Sequence, residues 1–157
     1  MKKLNNPFTK SHNFNCFGCA PHNEFGMQLE FSLKGDEVIS EWEVPQHFEG
    51  WVGVLHGGII AALIDEIAGW YVFSVLGVAG MTTNLNIRYL KPIETRKGKI
   101  KIVARLKQQK RQLQFIEVEV FDSGKQLAAK AEVCYYTFSE KDSEEKFNFP
   151  GKDAFYE

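Results

Sequence analysis

The sequence predicts an α+β domain in which one long helix is wrapped by a curved antiparallel sheet of five or six strands. The segment 58–76 is apolar on nearly every side, so a helix formed there must be covered on most of its faces. Much of the remaining chain alternates apolar and polar residues with the period of two that half-buried strands show. The predicted order is β-β-α-β-β-β-β.

The elements before the helix are an arm and a hairpin. Residues 1–26 are polar, contain Gly, Asn and Pro, and lack periodicity, which indicates a loop-like arm. Two alternating segments, 27–33 and 38–44, flank the turn 34-KGDE-37 and predict a hairpin that ends at Pro45.

After the helix the sequence predicts four more strands and a tail. Gly77 stands where a C-terminal glycine cap belongs. The alternating segments that follow lie at 81–90, 99–107, 116–120 and 126–138, and 122-DSGK-125 is a hairpin turn. Residues 139–157 read as a charged tail. The predicted division is therefore an arm at 1–26, the folded domain at 27–138 and a polar tail at 139–157.

Composition and charge exclude several classes of protein. The chain has 157 residues, which predicts one domain, and its net charge of −1 gives no sign of a nucleic-acid or anionic-membrane partner. Asp65 and Glu66 interrupt the apolar segment, so a membrane span is rejected. Three cysteines and the lack of an apolar run after the basic N-terminus predict a reducing, cytoplasmic location without a signal peptide.

The stretch 54-VLHGGIIAALIDEI-67 carries two glycines where the helix starts. At a helix start the N–H groups are unpaired and the macrodipole is positive, so Gly57 and Gly58 could bind an anion or a polarised carbonyl oxygen, as an oxyanion hole does. Glycines at this position could equally serve a tight turn of the loop against the sheet. The sequence leaves both interpretations open.

The same stretch carries two adjacent acids, Asp65 and Glu66, in its middle. Adjacent helix positions point about 100° apart, so at least one acid faces apolar surroundings. A buried carboxylate has to be paired, coordinated or neutralised, and such groups cluster at functional sites. For one of the two acids we expect a structural role, as a cap or as a solvated group at a subunit edge.

The separation of Gly57 and Asp65 predicts a dimer. Eight residues correspond to about 12 Å along a helix. A carbonyl held about 3 Å from the Gly57 N–H cannot also be reached by Asp65 of the same helix. If both residues act on one substrate, they come from two copies of the chain in a symmetric dimer with composite sites.

These motifs resemble the PaaI-like hotdog acyl-CoA thioesterases. The matching pieces are His56-Gly57-Gly58, Asp65 and 82-TTNLNIRYLKP-92, and the resemblance covers roughly residues 27–138. The arm segment 16-CFGCAPHNEFG-26 is similar to one branch of that family. The resemblance implies the hotdog fold, hydrolysis of an acyl- or aryl-CoA thioester without a cofactor, and a homodimer or a dimer of dimers (homotetramer).

The resemblance also implies individual roles. The Gly57 N–H would polarise the thioester carbonyl, His56 would shape that loop, Asp65 of the partner subunit would be nucleophile or general base, and Thr82 would hydrogen-bond near the attacking group. Many members carry an Asn at the position of Gly50, where it orients the acid and water. Further substrate-binding positions, the last two for coenzyme A phosphates, are Gly58, Glu66, Asn84, Lys110 and Arg111.

The arm carries a separate cluster of possible metal ligands. The spacing H-x₃-C-x₂-C-x₂-H could supply a tetrahedral zinc site from His12, Cys16, Cys19 and His22. The alternative is that small Cys and Gly residues pack the arm near the ligand groove. A redox C-x-x-C pair is disfavoured, because no helical pattern follows it to lower a thiol pKa.

Two other functions compete with hydrolysis. A non-catalytic hotdog module would bind acyl thioesters without turnover, and Gly50 in place of Asn favours it. A hotdog dehydratase or hydratase is less favoured, because an acid on the helix that follows His-Gly-Gly is typical of hydrolysis.

Overall fold

The computed structural model describes residues 1–156 and confirms one long helix packed against an antiparallel sheet. The strands are β1 Lys2–Lys3, β2 Ser32–Lys34, β3 Glu37–Glu43, β4 Gly80–Tyr89, β5 Lys99–Lys110, β6 Leu113–Phe121 and β7 Leu127–Thr137. Their order in the sheet is β1-β2-β3-β5-β6-β7-β4, and all pairs are antiparallel. The seventh strand, beyond the five or six predicted, is the two-residue β1 in the arm.

The central helix α1, Gly57–Tyr71, continues into a π-helical turn at Val72–Leu76. Gly77 ends it with φ of 76°, so the predicted glycine cap is confirmed. One side of α1 packs against the sheet, and the buried Trp70 packs against Phe31 and Phe155. The 20-residue helical stretch has a mean hydropathy of 1.8, so by length and composition alone it could cross a membrane. Its packing against the sheet accounts for that apolarity.

One side of α1 stays uncovered, although the sequence predicted cover on most faces. Gly58 is exposed, and Ala61, Ala62 and Asp65 are half-buried. Ala61 and Ala62 each lie three or four residues from Gly58 and from Asp65, which is the spacing of a single helix face. That uncovered face consists mainly of small residues.

The first predicted strand is mostly wrong. Residues 27–31 are irregular, because Gln28 has φ of 53°, a left-handed conformation that breaks a strand. Met27 and Leu29 are nevertheless buried, and their N–H groups donate to the carbonyls of Phe17 and Gly18 in the arm. Burial therefore alternates along residues 27–31 although they form no strand, because their N–H groups bond to the arm and not to a neighbouring strand.

Both chain ends pack against the core. The segment read as a charged tail contains helix α2, Glu140–Phe147, followed by the buried Phe149 and Phe155. The Phe155 ring lies 5.6 Å from the ring of Phe8 in the arm and 5.5 Å from that of Trp70 in α1. The boundaries at 1–26, 27–138 and 139–157 stay predictions, with the last residue of the tail outside the described residues.

Replacing Ser143 with Ala tests the packing of the tail. Ser143 is fully buried, and its Oγ accepts the Ala79 N–H at 2.9 Å and donates to the Ser139 carbonyl at 2.7 Å. The variant leaves a buried N–H unpaired, so the free energy of unfolding in urea should fall by about 1–3 kcal/mol. The matched control is Glu144→Ala on the exposed side of α2. An equal effect in both variants would contradict this packing.

Candidate active site

A β-bulge in β4 directs Thr82 toward the helix. Thr82 pairs with Tyr135 of β7, but the next pair is Asn84 with Cys134, so Thr83 is the extra residue. Thr82 and Tyr89 consequently both reach α1. Strict alternation over residues 81–90 predicted that Thr82 lies on the same face of β4 as Asn84 and on the opposite face from Tyr89. That prediction is wrong, because the extra residue Thr83 puts Thr82 on the same face as Tyr89.

Asp65 is held by two hydroxyl groups. Thr82 Oγ1 donates to Asp65 Oδ1 at 2.6 Å, while the Tyr135 hydroxyl lies 3.2 Å from the Asp65 carbonyl oxygen and 3.4 Å from Oδ1. Within the described part of the chain, Oδ2 has no hydrogen-bond partner. Asp65 is half-buried, so this free oxygen can accept a proton from a molecule entering the site.

Tyr135 stays a hydrogen-bond donor to Asp65. Burial, and next the negative charge of Asp65, raise the pKa of the Tyr135 phenol above its ordinary range. Its hydroxyl sits close to the helix backbone, where a Cβ on Gly69 would lie 2.9 Å from it. Gly69 therefore leaves room for the tyrosine that orients the acid one helical turn earlier.

The helix start separates the roles of its two glycines. His56 is the N-cap, and its Nδ1 accepts the Gly58 N–H at 2.9 Å, which leaves the proton of a neutral imidazole on Nε2. The Gly57 carbonyl accepts the Tyr89 hydroxyl at 2.8 Å. Among residues 1–156, nothing accepts the Gly57 N–H. Gly58 thus serves the cap, while Gly57 offers the free donor that an oxyanion hole needs.

An open cavity of about 590 Å³ adjoins the helix start. Gly50 lines it, and a Cβ there would stand 3.2 Å from His56 Cδ2, so any side chain would press on the imidazole ring. Trp51 and Val52, on the loop beside it, are 85% and 94% exposed.

Gly57 and Asp65 of α1 contact opposite ends of strand β4. Tyr89 contacts Gly57 and Thr82 contacts Asp65, and these two β4 residues are seven positions apart, roughly 20 Å along a strand. A single chain therefore presents the free N–H and the acid as two separate halves of a site.

The structure does not bring the other predicted substrate-binding residues to Asp65. Glu66 faces the arm, and Asn84 lies on the outer face of β4. Lys110 is the last residue of β5, and Arg111 lies in the exposed turn that leads into β6. This turn is at the sheet end where Leu113 pairs with Tyr136 and Tyr136 with Met81, beside Thr82. Their substrate-binding roles, like that of Gly58, stay predictions.

The zinc site built from two cysteines and two histidines is wrong. Within residues 1–156, Cys16 and Cys19 lie together with Glu66, their sulfur and oxygen atoms all within 4.8 Å of one another, and neither histidine joins them. His12 is exposed, and the His22 ring packs against Phe14 at 6.4 Å. The arm turns its sulfur atoms toward α1 and its imidazoles away, which sequence spacing alone does not show.

Tyr135 and Tyr89 are the site residues that the sequence did not reveal as partners of Asp65 and Gly57. Both lie on predicted strands, but their contacts depend on the register of β4 against β7 and on the bulge at Thr83. The sequence offers only a weak indication of these contacts, namely that each tyrosine carries a hydroxyl group at an inward position of its strand.

Known proteins resemble this chain in sequence and fold. A family model of the thioesterase superfamily matches residues 52–129, about half the chain. Rat acyl-coenzyme A thioesterase THEM4 is 53% identical over 74 residues, which are 45% of this chain and 31% of the rat protein. Human acyl-coenzyme A thioesterase 13 is 27% identical over 121 residues, 76% of this chain and 81% of the human protein.

A solved structure extends the comparison to nearly the whole fold. A Streptococcus mutans protein bound to acetyl CoA superposes with a TM-score of 0.66 at 26% identity, covering 83% of this chain and 97% of that one. This chain spans about a third of the length of the THEM4 relatives from rat and mouse. The narrower PaaI-like assignment stays a prediction. The chain has the hotdog fold and belongs to the thioesterase superfamily.

Proposed function

We propose that this chain is an acyl-CoA thioesterase in which Asp65 is the general base. One observation carries the proposal: Thr82 and Tyr135 fix one carboxylate oxygen of Asp65 while the other is free at the uncovered side of α1. The acyl-coenzyme A thioesterase activity named for the rat and human relatives supports the choice of substrate class.

The reaction begins with a water between Asp65 and the thioester. Asp65 takes a proton from the water while the water oxygen bonds to the carbonyl carbon. The Gly57 N–H stabilises the negative charge that develops on the carbonyl oxygen. When this intermediate collapses, the carbon–sulfur bond breaks with its electron pair on sulfur. The proton on Asp65 passes to that sulfur, which gives a carboxylic acid and the free thiol of coenzyme A.

The two halves of this site meet if two chains pair through β4. β4 is an edge strand that pairs only with β7 within the described residues, and it exposes Met81 and Leu85. Antiparallel pairing about a two-fold axis between residues 85 and 86 sets Thr82 opposite Tyr89 of the second chain. Asp65 of one chain then faces Gly57 of the other, and the small residues on the uncovered face of α1 allow close approach of the second helix.

In this proposal, Lys110 at the end of β5 and Arg111 in the turn after it bind the coenzyme A phosphates. The turn lies at the sheet end beside Thr82, so it belongs to the same half-site as Asp65. Two adjacent exposed cations attract phosphate groups, and Arg binds them with two hydrogen bonds. The three free cysteines fit a reducing, cytoplasmic location for this enzyme.

Release of free thiol from a panel of acyl- and aryl-CoA thioesters tests the proposal. A thioesterase releases one thiol per acid formed, with saturation kinetics. Binding of the same thioesters without thiol release would favour the non-catalytic module suggested by Gly50. Addition of water to an enoyl-CoA without thiol release would favour a hydratase. Either of these two results would overturn the proposal.

Replacing Tyr135 with Phe tests the positioning of Asp65. The variant keeps the ring and removes the donor, so Asp65 loses one of two orienting hydrogen bonds, worth about 1.5 kcal/mol or roughly tenfold in rate. We expect kcat to fall about tenfold with KM unchanged, measured by thiol release. Tyr136→Phe, the exposed neighbour on β7, is the matched control. A change confined to KM would show that Tyr135 contacts substrate and does not position the acid.

A further inference from the structure

Glu66 completes a cluster that the hydrolytic site does not use. Cys16 Sγ lies 3.4 Å from Glu66 Oε1 and 3.6 Å from Oε2, and both residues are only half-exposed. The buried Cys19 belongs to the same cluster. These three residues, which we name the arm cluster, join the arm to α1 at the position next to Asp65.

The C-x-x-C loop brings both of its sulfur atoms to Glu66. The Cys19 N–H donates to Cys16 Sγ at 3.3 Å, which folds the loop so that both sulfur atoms point to the same side. Gly18 lets the loop approach this closely, because a Cβ there would lie 2.2 Å from the Glu66 carboxyl carbon and would force that side chain to shift. The loop therefore closes directly over the carboxylate.

Glu66 is held in place by a partner of its own. Trp70 Nε1 donates to Glu66 Oε1 at 3.1 Å, one helical turn along α1. Ligating carboxylates are commonly oriented by such a second hydrogen bond. In a tetrahedral zinc centre, sulfur and oxygen ligands stand about 3.5 Å apart, given Zn–S near 2.3 Å and Zn–O near 2.0 Å. The two separations between Cys16 and Glu66 match that edge length.

We propose that Cys16, Cys19 and Glu66 bind a thiophilic divalent cation, zinc by preference, with water as the fourth ligand. The ion links the arm to α1 and holds the helix turn that carries Asp65. The donor set is two soft sulfur atoms and one carboxylate, which suits zinc better than magnesium or calcium.

Cys16 and Cys19 each affect the pKa of the other's thiol. The Cys19 thiol, together with the N–H groups of Cys19 and Gly18, lowers the pKa of the Cys16 thiol against the opposing effects of burial and Glu66. The hydrogen bond to Cys16, then burial and Glu66, raise the pKa of the Cys19 thiol. Zinc is bound by thiolates, so binding through Cys16 and Cys19 would release thiol protons and make the affinity depend on pH.

Titration of the purified full chain with cobalt, under a non-thiol reductant, tests the site directly. Cobalt bound to thiolates absorbs in the near ultraviolet, so we expect a charge-transfer band that saturates at one ion per chain and is bleached by zinc. Zinc in hundredfold excess over its dissociation constant should raise Tm by about 8 °C. With reduced thiols and a folded chain, failure of the band to appear would overturn the proposal without touching the thioesterase assignment.

Variants identify the ligands. Glu66→Gln and Cys16→Ser should each weaken cobalt binding at least tenfold, since loss of a ligand costs more than loss of an orienting group. Cys134→Ser, on β7, is the matched cysteine control, and His12→Ala and His22→Ala should keep the band. Loss of the band in either histidine variant would contradict the proposed ligand set by adding a histidine to it. Survival of the band in a folded Glu66→Gln chain would show that Glu66 is not the third ligand.

Discussion

Asp65→Asn is expected to lower kcat for thioester hydrolysis by more than about 10²-fold while the fold is kept. Asn has the shape of Asp and can still accept the Thr82 hydroxyl at its amide oxygen, but it cannot take a proton from water. The half-buried position beside Thr82 and Tyr135 requires no repacking for this change. Thiol release measures the rate, and circular dichroism with size-exclusion chromatography checks fold and assembly.

The control for this variant is Asp36→Asn, an exposed residue of the β2–β3 turn. It changes the net charge by the same amount without touching α1, and it should keep the wild-type rate. Wild-type activity in Asp65→Asn would remove Asp65 from the mechanism. A rate loss in Asp36→Asn as large as in Asp65→Asn would attribute the effect to charge alone.

A mixture of two inactive chains should regain activity. One chain carries Asp65→Asn and the other Gly57→Val, and a mixed dimer then holds one site with an intact Gly57 N–H and an intact Asp65. Random assortment gives at most about a quarter of wild-type activity, because half of the dimers are mixed and each has one functional site of two. Thiol release after the chains are unfolded together and refolded measures the recovery.

Gly57→Val suits this experiment because the fold has room for it. The atoms nearest to a Cβ on Gly57 outside the helix backbone would be those of the Tyr89 side chain, at 3.7 Å, which is ordinary van der Waals contact. The valine methyl groups would instead fill the space in front of the free N–H. Each variant refolded alone provides the baseline. If mixed dimers form, as shown by two distinct affinity tags, and no activity returns, the acid and the oxyanion donor do not come from different chains.

The central helix was predictable because its information is local. A continuous apolar segment of this length cannot be a surface strand, and Gly77 marks its end. The strands after it were predictable for the same reason, since alternation with a period of two reflects a face against the core. The strand at residues 27–33 was not, because a left-handed Gln28 gives alternating burial in an irregular segment.

The packed tail was hidden by its composition. Phe149 and Phe155 are scattered among charged residues without a helical or strand period, so nothing in the sequence shows that they are buried. Burial of isolated aromatic residues depends on a gap elsewhere in the fold, here beside Trp70 and Phe8. The same holds for Thr82, whose direction depends on a bulge that consists of a single unpaired residue.

By itself the sequence determined that Gly57 and Asp65 stand about 12 Å apart, because the rise of an α-helix is fixed by its backbone hydrogen bonds. It also determined that two adjacent acids on α1 point in different directions. Only the tertiary structure decided which acid faces Thr82 and Tyr135 and which faces Cys16 and Trp70. That choice depends on the rotation of α1 against the sheet and on the path of the arm, both of which are set by packing between segments distant in the chain.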